Sequence, residues 1–463
     1  MTASPVAVEV RPAVVPPLDA SFLPAVLWNR AYRRKVSAGE QSVPIRFALE
    51  QADGSVFHRS EEILPAKHSA PLNFRFIERL LKFHLWSLGG HRVYFDGPSD
   101  LGELLRRHFA DTHTGRFDAD FMGRVYEKPF EVVLTPDLPA ESSSAKPIGR
   151  HLDGTRIGFD LGGSDRKVAA VVEGEVVFSE ETPWDPYHQV DPEYHRAGIV
   201  DSLRKATEHL PRVDAIGGSS AGVIVNNKPR VASLFRGIPE DLFDKRIKPL
   251  FLQIGEEWGA PLEVINDGDV TALAGSMSLG ENSVLGLAMG TSEATGYVNA
   301  AGNVTTWLNE LAFAPVDYAE DASADEWSGD LGCGVRYFSQ QAVGRLLDPA
   351  GIDLPPELPL PEKLVETQNL MADDDPRARR IYETIGVYLG YGVAHYAEFY
   401  NLRNLLILGR VTSGEGGEII LSEAKRALES EFPLLAEKIA FHVPNEKDKR
   451  HGQAVAAASL PAL

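Results

Sequence analysis

Two stretches of the chain share one backbone grammar, and that repetition constrains the fold more than any other feature. In RIGFDLGGSDRKVAAVVEGEVVF an apolar run from Ile157 to Leu161 is broken by Gly162-Gly163. It resumes from Val168 to Val172 and turns again at Glu173-Gly174-Glu175 into a third run. In SVLGLAMGTSEATGYVNAAGNVTTW the first run ends at Gly290, a polar turn Thr291-Ser292-Glu293 follows, ATGYV resumes, and Ala301-Gly302-Asn303 leads to a third run. Gly163 and Gly174 are 11 residues apart, and Gly290 and Gly302 are 12 apart. Runs this short between glycine turns read as strands, and two such units predict a duplicated domain.

Glycine turns between strands also point to a ligand class. Without a Cβ, the backbone N–H groups of such a turn can converge on an anion, so two turns facing each other predict a polyphosphate held from both sides. Gly162, Gly163 and Ser164 form the first turn; Gly290, Thr291 and Ser292 form the second, with the hydroxyls as extra donors. Asp160 ends the first strand, where its carboxylate can hold Mg2+ directly or through water. Either turn alone reads as an ordinary hairpin turn; the matched pair favours phosphate. The chain has no GxxxxGKS or GxxxxGKT, and no GxGxxG between a strand and a helix. A P-loop ATPase and a Rossmann dehydrogenase are thereby disfavoured.

Between the two units, PLEVINDGDVTALAGSMSLG reads as a strand, Leu262 to Ile265, and an Asn266-Asp267-Gly268 turn into a helix of small residues. A carboxylate at such a junction can point into a cleft and accept a proton from an attacking hydroxyl. Asp267 is the candidate base, and its alternative role is an N-cap. Asp269 reads as a capping or solvated residue. Near the C-terminus, NLLILGRVTSGEGGEI reads as a strand, a turn and a helix; Gly409, Ser413, Gly414, Gly416 and Gly417 would let a flat ring approach the backbone.

Charge divides the chain near residue 150. Residues 1–150 carry 19 basic and 18 acidic side chains and the remaining 313 carry 27 and 48, so the formal charge of −20 lies almost wholly in the later part. That balance disfavours broad binding to nucleic acid or anionic lipid, and a polyphosphate site there must rest on backbone dipoles and a metal ion. The aperiodic DLPAESSSAKPIGRHLDGT marks an exposed linker. Before it, a hairpin around Asp53-Gly54, a helix over FRFIERLLKFHLWSL, a strand at HRVYFDG and a helix SDLGELLRRHF with Ser99 as N-cap predict a small α+β unit. No apolar run is long enough to cross a membrane, no secretory signal is legible, and the lone cysteine, Cys333, excludes an internal disulfide framework. A cytoplasmic protein is expected.

From Thr155 onward the segments resemble, in order, those of the ROK family of sugar kinases and sugar-responsive repressors within the actin-like/hexokinase superfamily. FDLGGSDRKVA resembles the first phosphate loop, with Ser164 for Thr, Asp165 for the usual Lys and Lys167 where hexokinases carry Arg. IGGSSAGVIVN is similar to the sugar-domain loop, with Ala221 for Pro, Gly222 at its second glycine and Asn226 near its final polar position. VINDGDVTALAG is similar to the segment whose Asp is the catalytic base, which implies that role for Asp267 and a sugar contact for Asn266. MGTSEATGYV is similar to the second phosphate loop, and LILGRVTSGEGG to the adenosine segment, with Arg410 where Gly is common. NELAFAPV resembles the segment that supplies a sugar-binding Glu, here Glu310.

Departures from the family pattern concern the sugar. Phe313 replaces a His used for zinc and sugar. EWSGDLGCGV keeps Gly329, Gly332 and Cys333 of the zinc signature, with Glu326, Ser328 and Val335 in place of two Cys and a sugar-binding Glu. No structural zinc is expected, Trp327 and Arg336 are the candidates to fill that region, and the altered polar set implies an altered preferred sugar.

The resemblance implies a duplicated actin-like, ribonuclease H-like α/β fold: two lobes around a cleft, plus the small N-terminal α+β unit. The expected boundaries are 1–150 for that unit, 151–280 for the first lobe and 281–463 for the second. The implied activity is ATP-dependent phosphorylation of a hexose-type hydroxyl, with Asp267 as base and Mg2+ at Asp160. Asn266, Asn226, Gly222 and Glu310 would bind sugar. Gly162, Gly163, Ser164, Lys167, Gly290, Thr291, Ser292, Gly409, Ser413 and Gly414 would bind nucleotide. Sugar and nucleotide are the expected partners, without nucleic acid or membrane, and a homodimer is compatible with the sequence. The competing reading is a catalytically silent sugar sensor of the same fold, favoured by the altered sugar motifs. Hairpin signals and near-neutral charge in residues 1–150 argue against a repressor's DNA-binding helix-turn-helix.

Overall fold

The residues before the linker build a sheet of their own. The computed structural model describes residues 8–65, 69–143, 147–443 and 446–463. After α1 (Ala25–Ser37), β1 (Val43–Glu50) and β2 (Val56–Ile63) form the predicted hairpin. Then follow α2 (Ala70–Leu88), β3 (Arg92–Asp96), α3 (Ser99–Asp111), α4 (His113–Tyr126) and β4 (Glu131–Leu134). The strand order is β2-β1-β3-β4. Ser99 is not the N-cap of α3: Pro98 takes that position, its extended backbone already leading into the helix, and no side chain caps the end.

The first repeated unit folds as its spacing predicts. β5 (Thr155–Leu161), β6 (Asp165–Val172) and β7 (Glu175–Pro183) form an antiparallel meander. After α5 (Pro192–Thr207), β8 (Ala215–Ser220) adds parallel to β5. The small hairpin of β9 (Val223–Val225) and β10 (Lys228–Val231), a short α6 (Glu240–Leu242) and α7 (Leu250–Trp258) precede β11 (Leu262–Asn266), which pairs with β8. α8 (Asp267–Leu279) follows directly. The sheet order is β7-β6-β5-β8-β11. Central β5 is buried at every residue, because both sheet faces are covered. Ile157, Phe159 and Leu161 meet Ile199 and Leu203 of α5 and Phe251 and Ile254 of α7.

The second unit repeats the start of that order. β12 (Val284–Met289) and β13 (Glu293–Val298) are antiparallel; Glu293, read as a turn residue, is the first residue of β13. After α9 (Gln340–Ala350), α10 (Leu360–Ala372) and α11 (Pro376–Tyr396), β14 (Asn404–Leu408) joins β12 in parallel. α12 (Glu415–Glu431), a short α13 (Pro433–Ala436), β15 (Ala440–His442) and α14 (Glu446–Ala458) complete the chain, and the sheet order is β13-β12-β14-β15. The third strand expected after Gly302 does not form. Val304 makes only isolated bridges, to Val298 and to Ile148 of the linker. The chain then leaves the sheet, because the N–H groups of Leu308, Asn309 and Glu310 are taken by the carbonyls of Leu88, Ser87 and Trp86 at the end of α2.

Two packings join these units. Although last in sequence, α14 lies against the first-lobe sheet, where a Cβ on Gly158 or Gly217 would collide with the carbonyls of Ala454 and Ala457. The N-terminal unit shares one continuous apolar core with the second lobe, running from Val14, Trp28 and Phe83 to Tyr297, Tyr388 and Leu428.

Candidate functional site

Asp267 stands at the junction of the two lobes, as the first residue of α8. The cap is its neighbour: Asn266 Oδ1 accepts from the Gly268 N–H at 2.7 Å, and Asn266 Nδ2 donates to the Gly222 carbonyl at 2.9 Å. One amide thus pins the Gly222 loop to the start of α8 and keeps a second N–H and lone pair beyond these two bonds. Gly222 has φ 110°, the left-handed region, and Asn226, with φ 52°, is exposed at the tip of the β9–β10 hairpin. Close contact between α8 and β13 carries Asp267 to the second lobe, since a Cβ on Gly268 would collide with the Thr295 carbonyl.

Four carboxyl groups gather here. Burial, then the charge of Asp160, raises Asp267 to about 6 against the opposing Gly268 N–H. Burial, then Asp267, raises Glu310 to about 7. Asp269 and Glu293 complete the group; both are raised to about 8, chiefly by burial. Asp269 is therefore not the solvated residue that the sequence suggests. It is 5% exposed and accepts from the Tyr297 N–H at 3.2 Å and Asn309 Nδ2 at 2.9 Å, tying α8 to β13 and to the residue before Glu310. Glu293 is 3% exposed, with Oε1 taking a hydrogen bond from the Tyr396 hydroxyl and Oε2 without a partner.

The first glycine turn is open to solvent and braced by a neighbouring loop. Gly162, Gly163 and Ser164 reach solvent, and no room remains for a Cβ on Gly163 because the Tyr187 hydroxyl lies against it. Trp184 Nε1 donates to the Gly162 carbonyl at 2.7 Å, and the Trp184 N–H to that of Ser164 at 3.1 Å. Asp160 is buried and accepts from Ser219 Oγ at 2.6 Å. Lys167 lies 3.2 Å from Asp165 and 3.8 Å from Asp160; burial opposes its charge, yet the two carboxylates hold its pKa above the ordinary lysine value. The residue that departs from the family pattern, Asp165, thus becomes a partner of this lysine. A single carboxylate suits Mg2+, which keeps several waters and takes phosphate oxygens. Asp160 would hold the ion, and the ion would supply positive charge to the phosphates.

The second turn and the C-terminal glycines meet through adjacent strands. Gly290, Thr291 and Ser292 lie at the open end of β12, and Gly409, with φ 101°, follows the neighbouring β14 and packs its Cα against Met289. Ser413 and Gly414 are exposed at the start of α12. Trp184 and Tyr187 were invisible as site residues in the sequence, because their contacts to the turn come from a distant loop. So did Arg236, whose guanidinium stacks 4.2 Å from the Tyr187 ring centre.

Of the two residues expected to fill the zinc-like segment, Arg336 does so, bonding Ser323 and Gln341 and lying 3.7 Å from Glu326, whereas Trp327 is 70% exposed. Positive charge also enters from α2: Arg79 lies 3.0 Å and Lys82 2.9 Å from Asp330. Phe313 packs on Trp86, with ring centres 4.4 Å apart, and on Phe117 and Phe121 of α4. The surroundings of Phe313 are therefore aromatic and are built by the N-terminal unit.

No protein-family model and no curated protein sequence matches the chain. Solved structures do. A ROK hexokinase from Thermus thermophilus, 19% identical, superposes with a TM-score of 0.50 over 66% of this chain and 96% of that one. A ROK family transcriptional regulator, a homologue of the E. coli MLC protein, is 17% identical and superposes with a TM-score of 0.51 over 67% of this chain and 79% of its own. The chain has the ROK fold. Within the ROK fold, the duplicated strand units account for the sheets of the two lobes, and α2 packs on α11 of the second lobe, where Phe83 meets His395 and Tyr396.

Proposed function

We propose that the protein is an ATP-dependent carbohydrate kinase. The observation that carries this reading is a carboxylate, Asp267, at the strand-to-helix junction that opens α8, raised to about 6 by burial and by Asp160 on the strand that leads into the first solvent-open glycine turn. A sugar hydroxyl held by Glu310, Asn266 and Asn226 attacks the γ-phosphorus. The new O–P bond forms as the bond to the bridging oxygen breaks, ADP leaves, and the hydroxyl proton passes to Asp267. The backbone donors of both turns and Lys167 stabilise charge on the transferred group. Similarity in fold to a ROK hexokinase supports the class of reaction.

Asp267→Asn tests the assignment. The variant should fold and bind sugar while losing at least roughly 100-fold in turnover, measured as ADP release across hexoses, amino sugars and polyols. Wild-type turnover should also fall as acid protonates Asp267, through an apparent pKa of about 6. Near-normal phosphorylation by Asp267→Asn would sink the base.

A second reading, a sugar sensor without turnover, is favoured by the apolar Phe313 and Val335 in the sugar wall and by the likeness to a ROK regulator. Nucleotide and sugar binding without ADP release across that panel would select it.

A further inference from the structure

Helix α2 grips the Glu310 segment in two places. At its C-terminus, the carbonyls of Trp86, Ser87 and Leu88 lack helical partners and accept from the N–H groups of Glu310, Asn309 and Leu308 at 2.9, 2.9 and 3.2 Å. One turn earlier, Arg79 and Lys82 lie on the same face and reach the loop that packs beneath Glu310. Lys82, 1% exposed, is 2.8 Å from Asp118 of α4 and 2.9 Å from Asp330. Arg79 is 3.0 Å from Asp330 and 2.6 Å from Glu78. Trp86 Nε1 donates to Asp118 at 3.0 Å.

From Asp330 the hold passes by short backbone contacts to the Glu310 segment. The Leu331 N–H donates to the Asp330 carboxylate at 2.8 Å, the Val316 N–H to the Gly332 carbonyl at 2.8 Å, and the Gly334 N–H to the Ala314 carbonyl at 2.9 Å. Cys333 bridges Pro315 and is buried against Ala312 and Val335. Residues 308–316 are thus clamped between the helix end on one side and a loop held by two buried cations on the other.

We infer that Lys82 is a positioning residue for Glu310, and that the N-terminal unit is a working part of the sugar site. The effect on turnover rests on the kinase reading; the effect on the Glu310 segment does not. Lys82→Met alone would strand two buried carboxylates. The informative variant is Lys82→Met with Asp118→Asn, which removes one charge of each sign and leaves Asp330 to Arg79.

Hydrogen exchange is measured on residues 308–316, with 264–270 as the internal reference, beside steady-state kinetics. Exchange at 308–316 should rise by about tenfold or more while 264–270 holds. The KM for sugar should rise by about tenfold, and the KM for ATP should stay within about twofold. Lys82→Arg should restore wild-type exchange. Unchanged exchange at 308–316 in the folded double variant overturns the inference, as does a rise spread evenly over both segments. If that variant does not fold, Asp118→Asn alone decides, since it keeps the Lys82–Asp330 pair: a smaller rise confined to 308–316 supports the inference, and none overturns it. If wild type releases no ADP with any sugar, the kinase reading falls and the exchange result still decides the positioning.

Discussion

At the scale of single residues, the site is a balance between burial and charge. Burial raises both Asp267 and Glu310, and a neighbouring negative charge adds to it, that of Asp160 for Asp267 and that of Asp267 for Glu310. Glu293 shows the burial contribution most clearly, because it is 3% exposed and its Oε2 has no partner. Its carboxyl has an ordinary value of 4.5 and about 8 in the fold. A raised acid means that the folded state binds the proton more tightly, so the group favours folding below pH 4.5 and this contribution is lost as pH rises toward 8. Glu293→Gln should therefore stabilise the protein at pH 8.5, by on the order of 2 kcal/mol, and change it little at pH 4.5, as measured by urea unfolding at both values. Equal effects at the two pH values would contradict a buried, protonating Glu293. The position of Asp267 was legible in the sequence because it follows from a local strand-to-helix junction. Asp269 and Glu293 were not, because the burial that raises them comes from β13, Asn309 and Tyr396.

Among the elements, local pattern succeeded wherever partners are adjacent in sequence. The β5–β7 meander and the β1–β2 hairpin follow from short apolar runs and glycine turns, whose strands pair with their nearest neighbours. The run after Gly302 has the same pattern, yet its Val304 N–H goes to Ile148 and the donors just beyond it, Leu308 to Glu310, go to α2, more than 200 residues earlier in sequence. The placement of α14 was equally hidden. It rests on glycines, which let the helix lie flush on β5 and β8. Gly217→Ala should lift that helix and destabilise the fold by roughly 1–3 kcal/mol, an overpacking effect. Thermal unfolding measures the loss, and limited proteolysis should cut near α14 sooner; wild-type behaviour in both would mean that the contact is not tight.

For the whole molecule, the N-terminal unit and the second lobe act as one body around a shared core. The segment before α1 also lies along α9 and α11, where Asp19 pairs with Arg345 of α9 at 2.9 Å and the Val14 N–H donates to the Tyr391 hydroxyl of α11 at 3.2 Å. Glu127, at the end of α4, pairs with Arg230 and with Lys248 of the first lobe. The unit therefore touches both lobes. Residues 151–463 expressed alone should be insoluble or should bind hydrophobic dye with loss of near-ultraviolet circular dichroism, since removing the unit uncovers the aromatic face of α11 and Phe313. A soluble, cooperatively unfolding fragment would show that the shared core is dispensable.

The sequence by itself determined the duplicated sheet units, the two solvent-open turns, Asp267 at its junction and the acidic balance of the later part. Each depends on neighbours in the chain, where strand period, glycine and capping chemistry act directly. Only the tertiary structure decided which carboxyls are buried, where α14 packs, and what holds the Glu310 segment. Lys82 and Asp330 are 248 residues apart in sequence and form an ion pair at 2.9 Å. Burial and charge pairing depend on distance in space, and no local pattern encodes which distant side chain will exclude water from a given carboxylate.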